Sequence, residues 1–516
     1  MSYEKEVKMR KTIKLLFLPI IFLVLNFCVG LGTLAGEQIE LSISGVEEQI
    51  ERPKADWSSI YLGTFQSQYS DYLDQNNFAR DVLVKNYDSI LHAINASNNN
   101  ITYGRNGYLY ETGYVASYMN CNSMADYSDY AFKLSAIHYA LSLRGKEFVY
   151  IISPSKAEIY NEYLPSATSY NQYPDRITEH YLLKNALEQY SVPYVDATLI
   201  MYEMKTNNLS PFYKEGIHWS ELAAIYTLNE ALEEKLNYTY SVSNIPADAD
   251  IDLYALANVW QKPLEDEFYR VNILSDEEMS DKNLLLFGTS FCGQWMHMLR
   301  ASEPVFDNVT HYRYLQFQEE LESGKYSLSQ LNETIDENHI IETVNNADII
   351  VFETNANAVF DSHKTIVDYL YQNYVLNCKI EIPDLLFDFT SEKVTSFVGN
   401  DSLYAQENSG RWTTEEFDLT FSWDKETNIS VLINGNAFQP DYQIHVYLNG
   451  IDYGYADIIG NNIGSLSFKK EDLIIGENSL KLKTENALSP SEISDSSDSR
   501  KLGIFLRQLL IREERD

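Results

Sequence analysis

An apolar run that stops abruptly on a glycine constrains this chain more than any other feature. Leu284-Leu285-Leu286-Phe287 leads into Gly288-Thr289-Ser290-Phe291. Four consecutive apolar residues leave no polar face, so the segment reads as a strand buried on both sides, of the kind found in a parallel sheet covered by helices. The turn that follows would deliver a serine hydroxyl to the edge of that sheet. Similar runs recur at 147–152, ending at Ser153-Pro154, at 193–196, and at 348–353, ending at Thr354-Asn355. Helical periodicity over 129–144, 174–190 and 221–235 falls between these runs, and 291–299 predicts a helix directly after Ser290. Alternating strands and helices predict an α/β fold with a mainly parallel sheet. Sites in such sheets form beyond the carboxyl ends of the strands, where Ser153, Ser290 and Glu353-Thr354-Asn355 all fall.

The pattern changes beyond Cys378. Alternating segments at 429–433, 442–448, 465–468, 479–482 and 502–511 replace the helical ones, with Asn434-Gly435 and Asn449-Gly450 as turn signals. Short strands at this spacing predict an antiparallel, jelly-roll-like β-sandwich. Upstream, Asn106-Gly107 between Thr102-Tyr103 and Tyr108-Leu109-Tyr110 predicts a hairpin. The expected organisation is a basic tip and membrane segment at 1–36, a stalk and leading helices at 37–100, an α/β catalytic domain at 101–380, and the sandwich at 384–516.

Location is set by the first residues. Lys5, Lys8, Arg10, Lys11 and Lys14 precede an apolar stretch at 15–35, about twenty residues and so long enough to cross a bilayer with its basic flank in the cytoplasm. Either it is an uncleaved anchor, with everything after Gly36 outside, or it is a signal peptide cut near Thr33-Leu34-Ala35. Cys28 has no convincing lipobox before it. Cys121, Cys292 and Cys378 are too few and scattered for a disulfide framework, and no Cys/His spacing suggests a metal site. The net charge of -36 repels nucleic acid and anionic polymers and leaves neutral or cationic glycans free to approach.

The serine needs a base. At neutral pH its hydroxyl is a weak nucleophile until an imidazole takes the proton, and the resulting oxyanion needs donors such as the serine's own N–H at a helix start. His218, in Ile217-His218-Trp219, is the best placed of the nine histidines. His297 lies two helical turns beyond Ser290, roughly 10 Å along the axis, and His180 sits on a polar helix with no site signal. The competing reading of Gly-x-Ser-Phe is a turn serine capping a helix.

Four blocks carry a family resemblance. They are Gly104-Arg105-Asn106-Gly107-Tyr108-Leu109-Tyr110, Ser153-Pro154-Ser155-Lys156-Ala157-Glu158-Ile159-Tyr160-Asn161-Glu162-Tyr163-Leu164-Pro165, Tyr213-Lys214-Glu215-Gly216-Ile217-His218-Trp219, and Gly288-Thr289-Ser290-Phe291. In order and content they resemble the SGNH-hydrolase-like polysaccharide O-acetyltransferases of the alginate AlgX/AlgJ type. The resemblance implies an acetyl-serine on Ser290, His218 as base, and no cofactor. It also implies a membrane-bound O-acyltransferase as acetyl donor and an exported or cell-surface polysaccharide as acceptor. It implies substrate-side roles for Lys156, Glu158, Trp219 and Asn355, against a surface ion pair as the plain alternative for Lys156 and Glu158. Two positions depart from the pattern. The acid expected two residues before the histidine is Gly216, and the acid expected before the serine is Thr289. Glu215 is the nearest substitute as orienter of the imidazole, Asp196 a more distant one, and a degenerate domain that only binds glycan is the remaining reading. In the sandwich, Trp412 and Trp423 are either aromatic platforms for sugar or core. The expected activity is therefore extracytoplasmic O-acetyl transfer, with a carbohydrate esterase and a non-enzymatic glycan-binding factor as rivals.

Overall fold

The computed structural model describes residues 51–514 except 121, 167–176, 233–237, 246–250, 265–267, 276–279, 302–305, 315, 321–325, 331–336, 378–384 and 400; before residue 51 it describes only 24, 27–29, 31–33, 41, 43 and 44. The expected membrane segment at 15–35 falls mostly outside the described residues, and among those described no helix is long and apolar enough to cross a membrane. Cys121 and Cys378 also lie outside them, while Cys28 and Cys292 are free thiols.

The central sheet has seven strands: β1 (Glu147–Ile152), β2 (Tyr194–Asp196), β3 (Ser280–Gly288), β4 (Phe306–Arg313), β5 (Gln316–Glu320), β6 (Tyr326–Gln330) and β7 (Ile349–Thr354). Their order is β6-β5-β4-β3-β7-β1-β2. The pairs from β4 across to β2 are parallel, and β5 and β6 add an antiparallel edge. The four expected strands are all present. The strands β4 to β6 carry no apolar run, and the sequence pattern does not predict them.

Both faces of the sheet are buried, which explains the unbroken apolar runs. Tyr150, Leu285, Phe287, Ile350 and Phe352 point into one core with helices α1 (Ser128–Ser142) and α2 (Glu179–Gln189). Ile151, Leu284, Leu286, Ile349 and Val351 point into another with α3 (Glu221–Leu232) and α5 (Cys292–Ala301). The short helix α4 (Asp252–Leu256) lies between α3 and α5 in the chain. The Asn106-Gly107 hairpin forms as expected: Ile101–Tyr103 pairs with Leu109–Glu111, and Asn106 and Gly107 take φ of 56° and 79°.

The later chain forms two antiparallel sheets, built from β8 (Leu386–Asp388), β9 (Glu416–Trp423), β10 (Ile429–Ala437), β11 (Ile444–Leu448), β12 (Ile451–Tyr455), β13 (Asn462–Phe468), β14 (Gly476–Thr484) and β15 (Ile504–Glu513). One runs β8-β15-β10-β13, with Arg411–Trp412 also pairing β15, and the other β9-β14-β11-β12, around a shared core. Asn434-Gly435 is no turn. It lies inside β10 at a register shift against β15, where a Cβ on Gly435 would meet Phe505 O at 2.8 Å; close backbone approach explains the glycine there. Trp423 belongs to the core, and Trp412 packs against Phe438 and Phe505 at 5.6 and 5.1 Å.

This sandwich seats on α1. Leu432 and Leu510 join the same core as that helix, which buries Tyr130, Phe132, Leu134, Ile137 and Tyr139 around its circumference. The seam is also polar. Tyr190 Oη donates to Ile433 O at 3.0 Å, Asn434 Nδ2 to Asp129 Oδ1 at 3.0 Å, and the buried Arg512 guanidinium to Ser135 O at 3.3 Å and Ser191 O at 3.2 Å.

Candidate active site

Ser290 stands one turn beyond the carboxyl end of β3 and just before α5. The turn is fixed from below by a wholly buried carboxyl. Glu353, at the end of β7, accepts the Thr289 N–H and Oγ–H, each at 2.8 Å, the Cys292 thiol at 3.4 Å, and the Ser153 hydroxyl. Burial pushes the Glu353 carboxyl above its ordinary value, and these donors only partly oppose it. The residue before the serine therefore points into the protein, and this accounts for Thr289 where the family pattern has an acid. Gly288 is required here, since a Cβ would lie 2.1 Å from Cys292 Sγ.

The His218 segment is braced from the β1 side. Lys156 is buried, and its Nζ donates to Tyr213 O at 3.0 Å, Lys214 O at 2.8 Å and Gly216 O. It faces the loop rather than solvent and so braces the histidine segment, which is no surface ion pair. Trp219 is likewise wholly buried. Its Nε1 donates to Phe291 O at 2.9 Å and its ring packs on Trp295 at 5.1 Å, so it cannot touch a polysaccharide and instead ties the histidine segment to the serine turn.

These ties bring His218 beside the serine turn, with its ring edge-on to Phe291 at 5.3 Å. Asp252, at the start of α4, occupies the far nitrogen: its Oδ2 lies 3.2 Å from His218 Nδ1. Its Oδ1 accepts the Ile217 N–H at 2.7 Å. Burial would raise this carboxyl, but His218, the Ile217 N–H and Lys156 outweigh burial and hold it below the ordinary range. With Nδ1 held by a carboxylate, the ring offers Nε2 as acceptor. That Nε2 is buried and has no hydrogen-bond partner among the described residues. The Ser290 hydroxyl is turned instead to Tyr314 Oη, 3.2 Å away. Tyr314 takes φ of 53°, a left-handed conformation unusual for an aromatic residue, and its N–H donates to Gly288 O at 2.8 Å.

Neither expected acid is at the imidazole. Glu215 is buried and accepts the Leu264 N–H at 2.8 Å. Asp196 lies 3.3 Å from His180 Nε2. His297 pairs with Glu221 at 3.0 Å. Glu158 lies 3.5 Å from His180 Nδ1, and Asn355 Nδ2 donates to Ser153 O at 2.8 Å; both sit at the strand ends next to the serine turn rather than on Ser290 or His218. Asp252, the residue that sequence reasoning missed, belongs to no motif. Its only signal is an acidic stretch, Asp248-Ala249-Asp250-Ile251-Asp252, leading into a helix. Among the described residues no three His, Cys, Asp or Glu side chains converge to hold a metal ion.

Residues 101–246 match the family model for the SGNH hydrolase-like domain of acetyltransferase AlgX. The matched segment contains the first three of the four blocks and ends before Ser290. No curated protein matches the chain. Among solved structures, the chain is similar to the O-acetyltransferase domain of Pseudomonas putida AlgJ, with 14% identity over 54% of this chain and 100% of that one, and a TM-score of 0.31. It is similar to Pseudomonas aeruginosa AlgX, with 11% identity over 83% and 99%, and a TM-score of 0.36. A third likeness is to the CBM36-1 domain of a xylanase from the hindgut metagenome of Trinervitermes trinervoides, with 12% identity over 25% and 98%, and a TM-score of 0.18. With TM-scores below 0.5, none of these likenesses assigns a residue or a substrate to this chain.

Proposed function

We propose that a chain carrying an SGNH hydrolase-like, AlgX-type acetyltransferase domain over residues 101–246 transfers acetyl groups to polysaccharide hydroxyls through an acyl-serine. In this reading the Ser290 side chain swings from Tyr314 toward His218. Nε2 takes the hydroxyl proton as Oγ attacks the acetyl carbonyl of the donor. Asp252 keeps Nδ1 protonated and steadies the imidazolium that forms. The Ser290 N–H, at the entrance to α5, contributes to the oxyanion site. His218 then gives its proton to the departing group, leaving acetyl-Ser290. A sugar hydroxyl repeats the sequence in reverse: His218 takes its proton, the acetyl moves to the sugar oxygen, and the proton returns to Ser290 Oγ.

The observation that carries this reading is the state of His218, with a carboxylate on Nδ1 and a buried, unpartnered Nε2 beside the serine turn. Buried ring nitrogens without a hydrogen-bond partner occur on other histidines too, so the pairing of Nδ1 with Asp252 and the position beside the serine turn are what single out His218. The reading places the chain outside the cytoplasm, tethered through residues 15–35, with a membrane-bound O-acyltransferase supplying the acetyl group.

The test is turnover of an aryl acetate by the full chain, with and without an oligosaccharide acceptor. Acetyl transfer to the oligosaccharide that is lost in Ser290→Ala and in His218→Ala is the expected result. Release of free acetate alone, unaffected by acceptor, makes the protein an esterase. No turnover by a folded chain defeats the proposal.

A further inference from the structure

A cavity of about 260 Å³ opens at the carboxyl ends of β1 and β7, lined there by Ser155 and Asn355. Its walls include the rings of Tyr114, Tyr118 and Tyr202 and the charged side chains of Glu158, Glu179 and His180. It adjoins the serine turn, because the Tyr114 ring meets Phe291 edge-on at 6.3 Å. The volume is close to the lower end for small-molecule sites, roughly 300 Å³, and suits a single sugar ring. Tyrosine rings with hydroxyls at their edges stack on such rings and bond their hydroxyls.

The charges select among sugars. His180 sits between two carboxylates, with Nδ1 3.5 Å from Glu158 Oε2 and Nε2 3.3 Å from Asp196 Oδ2. Burial would lower its pKa, but the two carboxylates raise it to about 10, so the ring is cationic at neutral pH and already committed. Lys184 supports Asp196 at 3.4 Å from outside the lining. Glu179 accepts only the Ser117 hydroxyl, at 3.1 Å, among the described residues. No lysine or arginine lines the cavity among the described residues. Among the described lining residues the charge is therefore net negative, and the Glu179 carboxylate has no cation partner there. A uronate would meet Glu158 and Glu179 with no free cation among the described lining residues to offset them, whereas an ammonium would find an acceptor in Glu179.

We propose that this cavity is the acceptor subsite, that it takes a sugar bearing a free amino group, and that Glu179 and Glu158 receive the ammonium. The proposal rests on the acyl-serine reading for its purpose but not for its test. Binding is measured calorimetrically on the full-length Ser290→Ala chain, so that no turnover intervenes, with three probes: a glucosamine tetramer, its N-acetylated counterpart and a uronate tetramer. The glucosamine tetramer is expected to bind most tightly, to weaken with added salt, and to bind roughly tenfold more weakly to both Glu179→Gln and Glu158→Gln. Glu179 is part-exposed, so its variant is the less prone to misfold. Equal or tighter binding of either other probe, no binding of the glucosamine tetramer, or binding indifferent to both substitutions overturns the proposal. Aryl-acetate turnover by the wild type reports separately on the acyl-serine, so failure of one reading is distinguishable from failure of the other.

Discussion

Asp252 Oδ2 lies 3.2 Å from His218 Nδ1, and the same carboxylate takes the backbone N–H of Ile217 through its other oxygen at 2.7 Å. One acid thus fixes both the ring and the backbone that carries it. It enters from α4, after the histidine in the chain, whereas the family pattern puts an acid two residues before it.

Asp252→Asn is expected to lower aryl-acetate turnover by about 10³ to 10⁴, the effect of reversing the tautomer in a serine triad. Glu215→Gln, whose carboxylate serves Leu264 N–H, is expected to cost less than about tenfold. Turnover numbers and melting curves for both variants decide the matter. An equal loss in the two would return the orienting role to Glu215.

The pH dependence of stability carries two opposite signatures. Glu353 is raised above its ordinary 4.5 by burial. The folded state therefore keeps a proton that the unfolded chain gives up, and this contribution is complete below the unfolded value and fades as pH rises through the folded one. Asp252 is lowered, so its contribution is present above 3.8 and is lost as pH falls. Urea unfolding across pH 3 to 7, roughly the span of carboxylate titration, should show Glu353→Gln removing the loss on the alkaline side. An unchanged pH profile in that variant would mean that Glu353 titrates normally.

Lys156→Met removes the shared donor of the carbonyls of 213, 214 and 216, of which the part-buried one of 214 keeps the Leu109 N–H. The expected cost is about 3 kcal/mol of stability, together with lower turnover because the loop carrying His218 loses its brace. Oligosaccharide affinity per folded molecule should stay constant. A variant that folds as stably as the wild type but binds glycan poorly would restore Lys156 to the substrate side.

Ending the chain at residue 378 would uncover the side of α1 that Leu432 and Leu510 cover. The truncated protein is expected to aggregate, or to bind a hydrophobic dye and lose cooperative unfolding. A monomeric fragment with a sharp melting transition would show that the sandwich is dispensable for folding.

What the sequence discloses follows from where its physics is local. Leu284 to Phe287 announces a two-face-buried strand because each residue in it is apolar, and Ser290 follows from that strand. Asn106-Gly107 announces its turn because both residues must take positive φ. Asn434-Gly435 carries the same signal for a different reason, a close crossing with β15, which only the register shows. Trp219 and Lys156 lie in recognisable blocks, but a motif does not say whether a side chain faces solvent or the neighbouring loop. Asp252 is invisible for a stricter reason: its partner is brought to it by the fold, across a stretch with no periodicity of its own.

The strand β15, which ends at Glu513, lies between β8 and β10 and sends Arg512 across to α1. Residues 504–513 are thus largely interior ones. While the ribosome is still adding them, α1 has one greasy side bare and the second sheet system lacks its middle rung. A stop ahead of residue 504 would thus be felt at α1, a helix finished more than 350 codons earlier.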